Sequence, residues 1–224
     1  MRTDWILARI PREGPILDVG FIGAEEAVVH SGIRRAYPGR VVVGLDTNEE
    51  EVRGLRLSRT VAGDGFFLPF RAESFACVVL AEVLEHVRSP FELLLESARV
   101  LWVGGRLIIT TPNPYHAVRW IKHWLFARDL VNAKNVRGFL GHPEHQMLLE
   151  PLSLFSLLSH CGLRATDVAT QKFTLPLVGR LMRLRAFDLP LYPFNRLGGY
   201  LLVMAVKEPR KDSPRRDGSP GREA

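Results

Sequence analysis

Long apolar runs are missing from this sequence. No stretch of its 224 residues approaches the roughly 18 that a membrane span needs, and the first ten, MRTDWILARI, scatter acid and base where a signal peptide would be apolar. The expectation is a chain without a membrane anchor, located in the cytoplasm. Cysteine is scarce as well: Cys77 and Cys161 sit in apolar segments with no CxxC spacing and no further partner, so neither a zinc site nor a disulfide framework is readable. Both are expected as buried hydrophobes. A third absence is the Gly-x-Gly-x-x-Gly turn of nicotinamide-dependent oxidoreductases, since Ile22 stands where its second glycine should be. No Tyr-x-x-x-Lys pair exists for a proton relay, which removes that class.

What is present is ordinary for a globular domain. Hydrophobic residues make up 46% and charged ones 24%, which excludes wholesale disorder, collagen and coiled coil. The length suits one α/β domain. The net charge of +6 is unevenly spread: residues 1–112 carry 13 basic and 15 acidic side chains, residues 113–224 carry 17 and 9. A basic second half favours encounter with an anionic small molecule, a nucleic acid or a membrane surface.

Strands and helices alternate along the first 112 residues. Pro15 to Gly20 (PILDVG) reads as a short strand ending in Asp-x-Gly, followed by a helix over Ala24 to Ala36. Arg40 to Asp46 (RVVVGLD) is β-branched and nearly continuously apolar, as a strand buried on both faces must be. Asn48 can cap the next helix, with Glu49, Glu50 and Glu51 in the first turn, where the helix dipole favours acids. Val61 to Gly63 and Ser74 to Ala81 are the third and fourth strands. Ser89-Pro90-Phe91-Glu92 combines a capping box with proline at the first helical position, and the helix is expected to run to about Trp102 and end at Gly104-Gly105. Arg106 to Thr111 is the fifth strand. The pattern predicts a doubly wound, mostly parallel seven-stranded sheet, Rossmann-like, with helices on both faces.

After Pro114 the pattern loosens into an amphipathic helix near Tyr115 to Arg128, an irregular stretch to Glu150, and a helix from Pro151 stopped by Gly162. Residues 114–150 are long for a plain connection and are expected to form a lid. Leu163 to Thr170 and Gly199 to Lys207 are the last strands, with Arg180, Arg183 and Arg185 between them as a solvated basic face. The domain is expected to span residues 1–207, and 208–224, without a large apolar residue, to be a disordered tail.

In a doubly wound sheet the ligand lies beyond the carboxyl ends of the strands. Asp18-Val19-Gly20 closes the first, Asp46 the second, Asp64-Gly65 follows the third, and Glu82 with Glu85-His86 follows the fourth. In this order and spacing they resemble the class I S-adenosylmethionine-dependent methyltransferases, in particular the small-molecule branch similar to ubiquinone-biosynthesis O-methyltransferases. Ala81-Glu82-Val83-Leu84-Glu85-His86-Val87 and Leu101-Trp102-Val103-Gly104-Gly105-Arg106-Leu107 are the most specific matches. The resemblance covers residues 15–112 closely and continues loosely through Gly141 to His145 and the helix to Leu163.

The resemblance implies S-adenosyl-L-methionine as cofactor. Gly20 and Gly23 would let the backbone approach its methionine part, with Asp18 orienting that turn or meeting the amino group. Asp46 would accept hydrogen bonds from the ribose hydroxyls. Asp64 would take the adenine amino group, Gly65 and Phe66 would lie beside the ring, and Glu82 would close the site after the fourth strand. The turn itself, Asp18-Val19-Gly20-Phe21-Ile22-Gly23-Ala24, departs from the family's Asp-x-Gly-x-Gly-x-Gly. Only 14 residues precede the first strand, too few for the N-terminal helices that often cover the cofactor, so the cover is assigned to residues 114–150, which include Trp120, Trp124, His142 and His145.

Methyl transfer is a direct displacement that depends mainly on placement. For an oxygen acceptor a general base helps, and His86 is the first choice, His145 the second. Some relatives hold a divalent metal with the acidic and histidine residues of this segment, where Glu82, Glu85 and His86 stand here; the spacing itself assigns no metal. No Asp/Asn-Pro-Pro-Tyr follows the fourth strand, which argues against amine methyltransferases acting on DNA bases or glutamine, and no stacking platform supports nucleic acid. The expected acceptor is a small-molecule, lipid-linked or saccharide compound, with an anionic one favoured by charge and peripheral membrane contact left open. The alternative is a degenerate methyltransferase fold kept as a binding or scaffolding protein.

Overall fold

The computed structural model describes residues 2–23, 27–55, 57–116, 145–171 and 198–209. Their elements are α1 (Arg2–Leu7), β1 (Ile16–Val19), α2 (Val28–Ala36), β2 (Val42–Asp46), α3 (Glu49–Gly54), β3 (Thr60–Ala62), β4 (Phe75–Ala81), α4 (Pro90–Val100), β5 (Leu101–Pro112), α5 (Pro151–His160), β6 (Leu163–Gln171) and β7 (Tyr200–Lys207). The strands form one seven-stranded sheet in the order β3-β2-β1-β4-β5-β7-β6. Pairing is parallel from β3 to β5, and β7 runs antiparallel to both β5 and β6.

Side-chain alternation along the strands builds two apolar layers. Leu17, Val19, Leu80, Leu107, Ile109, Leu201 and Val203 face α4 and α5, packing on Leu93, Leu94, Leu154 and Leu158. Ile16, Val42, Cys77, Val79, Ile108 and Leu202 face α1 and α2, packing on Trp5, Ile6, Val29 and Ile33. Both cysteines are buried and unpaired, as expected. The order reverses between β1 and β4, where β1 runs to β2 and β3 on one side and β4 to β5 on the other, and this is where a doubly wound sheet opens a crevice.

Local signals account for most boundaries. Asn48 caps α3 by accepting the Glu51 N–H at 3.2 Å, and Ser89 caps α4 by accepting the Glu92 N–H at 3.4 Å. Gly162, at φ 71°, ends α5. Two readings are corrected. The helix expected to reach Trp102 stops at Val100, and β5 begins at once with Leu101. Phe75 pairs with Leu101 and Cys77 with Arg106, so residues 102–105 form a bulge on β5, with Gly104 at φ 79°. The second correction is at the N-terminus, where the few residues before β1 do form a helix, α1, held by burial of Trp5 and Ile6 rather than by its length.

The expected helix start at Ala24, most of the lid with Trp120, Trp124 and His142, the helix near Tyr115 to Arg128, the Arg180 to Arg185 face and the tail beyond Pro209 lie outside the described residues. Glu208, assigned to the tail, is bound: its N–H donates to the Gly162 carbonyl at 3.0 Å and its carboxylate pairs with Arg164 at 2.8 Å. No described helix is long and apolar enough to cross a membrane.

Candidate functional site

The crevice at the carboxyl ends of β1, β2 and β4 is a cavity of about 660 Å³, within the range of small-molecule sites. Lining it are the residues expected to bind the cofactor or act as base: Asp18, Gly20, Gly23, Asp46, Asp64, Gly65, Phe66, Glu82, His86 and His145. Arg2, Glu85 and His30, which lie in or against it, were not singled out for it in the roles they take here.

The floor is the turn after β1. Gly20 has φ 67°, and a Cβ there would come within 2.6 Å of Val83, so both backbone and space require glycine. The bulky Phe21 and Ile22 do not obstruct the turn, because their side chains are buried with Ala27 and Val52 in a small apolar cluster of their own. Asp46 braces the turn from β2: one carboxylate oxygen accepts the Ile22 N–H at 3.2 Å, the other the Asn48 N–H at 3.1 Å. Asp64 accepts the Phe66 N–H at 2.9 Å, fixing the Gly65-Phe66 loop, and the Arg88 guanidinium lies 5.0 Å from the Phe66 ring centroid.

Asp18 is buried under the turn. Desolvation pushes its carboxyl above the ordinary range, and the His30 ring, with Nδ1 at 3.2 Å from the carboxylate, opposes that shift. Glu82, at the end of β4, sits at φ 59°, a conformation that side chains seldom adopt outside constrained sites. Its carboxylate pairs with Arg2 of α1, and the Arg2 guanidinium also lies 5.5 Å from the Tyr200 ring centroid. The N-terminal segment thus reaches the site through Arg2.

At the far end the ring of His86 meets that of His145 edge-on, with centroids 4.8 Å apart. The strap that delivers His145 is fastened to the β4 loop: the Gln146 backbone N–H donates to the Glu85 carbonyl at 2.8 Å, and its side-chain amide donates to the His86 carbonyl at 2.9 Å. Glu85 is fully buried, and burial pushes its carboxyl up to about 7, only partly offset by the Thr111 hydroxyl that donates to it at 3.1 Å. Its other oxygen has no hydrogen-bond partner. One ligand atom each from Glu85, His86 and His145 lies within 4.8 Å of the others, a carboxylate and two imidazoles of the kind that transition metals accept. Glu82, which the resemblance would have added to such a set, is engaged by Arg2 instead.

Residues 17–109 match the family model of the methyltransferase domain. The chain is 27% identical over 187 residues to the ubiquinone biosynthesis O-methyltransferase of Xylella fastidiosa strain 9a5c, covering 77% of this chain and 70% of that protein. It is 29% identical over 167 residues to the enzyme of the same name from Idiomarina loihiensis, covering 69% and 60%. Among solved structures, a SAM-dependent methyltransferase from Archaeoglobus fulgidus superposes with TM-score 0.60 at 17% identity, covering 92% of this chain and 94% of that one. The methyltransferase solved with the Trm112 activator of Haloferax volcanii gives 0.63 at 18%, covering 92% and 89%. The sheet order, the crevice and these likenesses agree on a methyltransferase domain across residues 17–109, in a chain similar to the S-adenosylmethionine-dependent methyltransferases.

Proposed function

We propose that the protein methylates an oxygen atom of a small-molecule, lipid-linked or saccharide acceptor. The observation that carries this reading is the two-ended cavity, which has an acid-lined floor at the ends of β1 and β2 and a histidine pair at the end of β4. The floor fits the cofactor: Gly20 leaves a cradle that a Cβ would fill, and the acids Asp18, Asp46 and Asp64 follow three consecutive strand positions. When bound there, S-adenosylmethionine supplies an electrophilic sulfonium methyl group.

The chain's own residues do the rest. Asp46 keeps lone pairs for a ribose diol beyond the two N–H groups it accepts, and Asp64 with Phe66 forms the edge that takes the adenine. His86 takes the proton of the acceptor hydroxyl as the nucleophile forms, and His145, against its ring, is the second proton site. The cover over the acceptor is assigned to residues 114–150, of which 117–144 lie outside the described residues. The described end of that segment, from His145 to Glu150, starts at the site, fastened to Glu85 and His86. If Glu85, His86 and His145 hold a divalent ion, that ion would lower the charge cost of the alkoxide.

Calorimetric titration with S-adenosylhomocysteine tests the cofactor half. Incubating a fractionated cell extract with protein and methyl-labelled S-adenosylmethionine tests the acceptor half, with label expected in the lipid and small-molecule fractions. Label confined to nucleic acid or protein would overturn the acceptor class, and loss of transfer in chelator would assign the histidines to a metal rather than to the proton.

A further inference from the structure

His30, on α2, is buried completely against the end of β1. Its Nδ1 lies 3.2 Å from Asp18 Oδ2, and in the tautomer with the proton on Nδ1 the ring donates to that carboxylate, which as an ion only accepts. Among the described residues Nε2 has no hydrogen-bond partner, and it is shut off from solvent, so the polar contact of the ring is the one to Asp18. Leaving one buried ring nitrogen unsatisfied costs free energy, which a leucine of similar size would not incur.

The room for this ring comes from β2. Asp18 pairs in register with Gly44, and a Cβ on Gly44 would come within 2.8 Å of the Phe21 ring and 3.0 Å of His30 Cε1. The Phe21 ring lies against His30 with centroids 4.8 Å apart and planes tilted by 49°. Three residues from three elements therefore form one assembly: Phe21 in the turn after β1, Gly44 of β2, which leaves it room opposite Asp18, and His30 of α2, which joins the Phe21 ring to the carboxylate.

We propose that His30 is a positioning residue of the cofactor site, holding the Asp18 carboxylate and, through the Phe21 ring, the Gly20 to Gly23 turn in the geometry that receives the cofactor. The inference rests on reading the cavity floor as the S-adenosylmethionine site. The charged or titratable groups facing Asp18 are His30 of α2 and Asp46 of β2, the latter opposing its ionisation; Cys77 of β4, pushed up to about 12 by burial, remains a neutral thiol. Arg2 and Glu82 on the same cavity are paired with each other. His30 thus supplies the hydrogen bond that opposes the rise which burial forces on the Asp18 carboxyl.

The experiment compares His30→Leu, which keeps the volume and loses the donor, with His30→Asn, which offers an amide N–H near the position of Nδ1. S-adenosylhomocysteine affinity is measured by calorimetry from pH 6 to 9, with melting temperatures alongside. His30→Leu is expected to bind about tenfold to a hundredfold more weakly at neutral pH, the worth of a hydrogen bond to a charged group, and to recover as rising pH ionises Asp18. His30→Asn is expected to stay near wild type across the range. A ring that only fills space would move neither the pH profile nor the difference between the two variants, and wild-type binding by His30→Leu at every pH would overturn the proposal. Should the wild-type protein itself not bind S-adenosylhomocysteine, the cofactor reading is what fails. If His30→Leu does not fold, nitrogen-15 spectra of the wild-type imidazole decide: an Nδ1–H tautomer whose signals move on adding S-adenosylhomocysteine supports the role, and an Nε2–H tautomer or indifferent signals refute it.

Discussion

Asp46 is doubly committed, with one oxygen on the Ile22 N–H of the turn and the other on the Asn48 N–H that begins the next helix. Replacing it with alanine removes both braces and the ribose acceptor while leaving the apolar layers intact. Asp46→Ala is expected to fold and to bind S-adenosylhomocysteine about tenfold to a hundredfold more weakly, corresponding to roughly 1.5–3 kcal/mol. Unchanged affinity by calorimetry would remove Asp46 from the cofactor site. Glu85 makes a second prediction. Its carboxyl is raised by burial from 4.5 to about 7, so between those values the folded state holds a proton that the unfolded chain has lost. Stability therefore falls as pH rises through that window and levels above it, a change of about 3 kcal/mol in order of magnitude. Glu85→Gln, which keeps an acceptor for Thr111 and carries no charge, is expected to melt above wild type at pH 8 in chelator, the gap closing toward pH 5. Equal melting curves at both pH values would show that Glu85 does not resist ionisation. The identities of these acids and their place after successive strands were legible from spacing; the burial that sets Glu85 apart from exposed acids was not, because it depends on contacts from other elements such as Thr111 of β5.

Elements were legible wherever a local chemical reason sets their ends. Asn48 and Ser89 cap, Pro90 and Pro151 open helices, and Gly162 closes one, all within a few residues of the contacts that matter. Reading failed where the reason is distant. Val100 ends α4 because Leu101 pairs with Phe75 across the sheet, and α1 exists because Trp5 and Ile6 find the β1 and α2 face. The segment 114–150, most of which lies outside the described residues, has its described end tied by Gln146 to the loop that carries His86. As a closing lid it is expected to gain amide-exchange protection with S-adenosylhomocysteine and acceptor, more than α4 gains. Exchange that is already slow in the empty protein and indifferent to ligand would make it a fixed insertion.

The described residues build one sheet with an apolar layer on each face, and their stability rests on those layers rather than on the ends. Residues 210–224 contain no large apolar side chain, whereas Glu208 bonds Gly162 and Arg164. Truncation after Pro209 is expected to leave the thermal midpoint unchanged, and a truncation after Lys207 to lower it slightly by freeing the Gly162 carbonyl. A drop of several degrees on removing 210–224 alone would show that the last residues pack.

Sequence alone determined the class of sheet, because strand and helix periodicities and turn chemistry are local properties, and it determined the acidic strand ends, because each acid stands next to the strand that delivers it. Tertiary structure decided which of those acids are held by a partner. Arg2 reaches Glu82 across 80 positions, His145 meets His86 across 59, and His30 finds Asp18 only because Gly44 on the neighbouring strand leaves space for the ring. Such pairings are set by sheet register and by side chains that have no counterpart in local pattern, so no spacing along the chain encodes them.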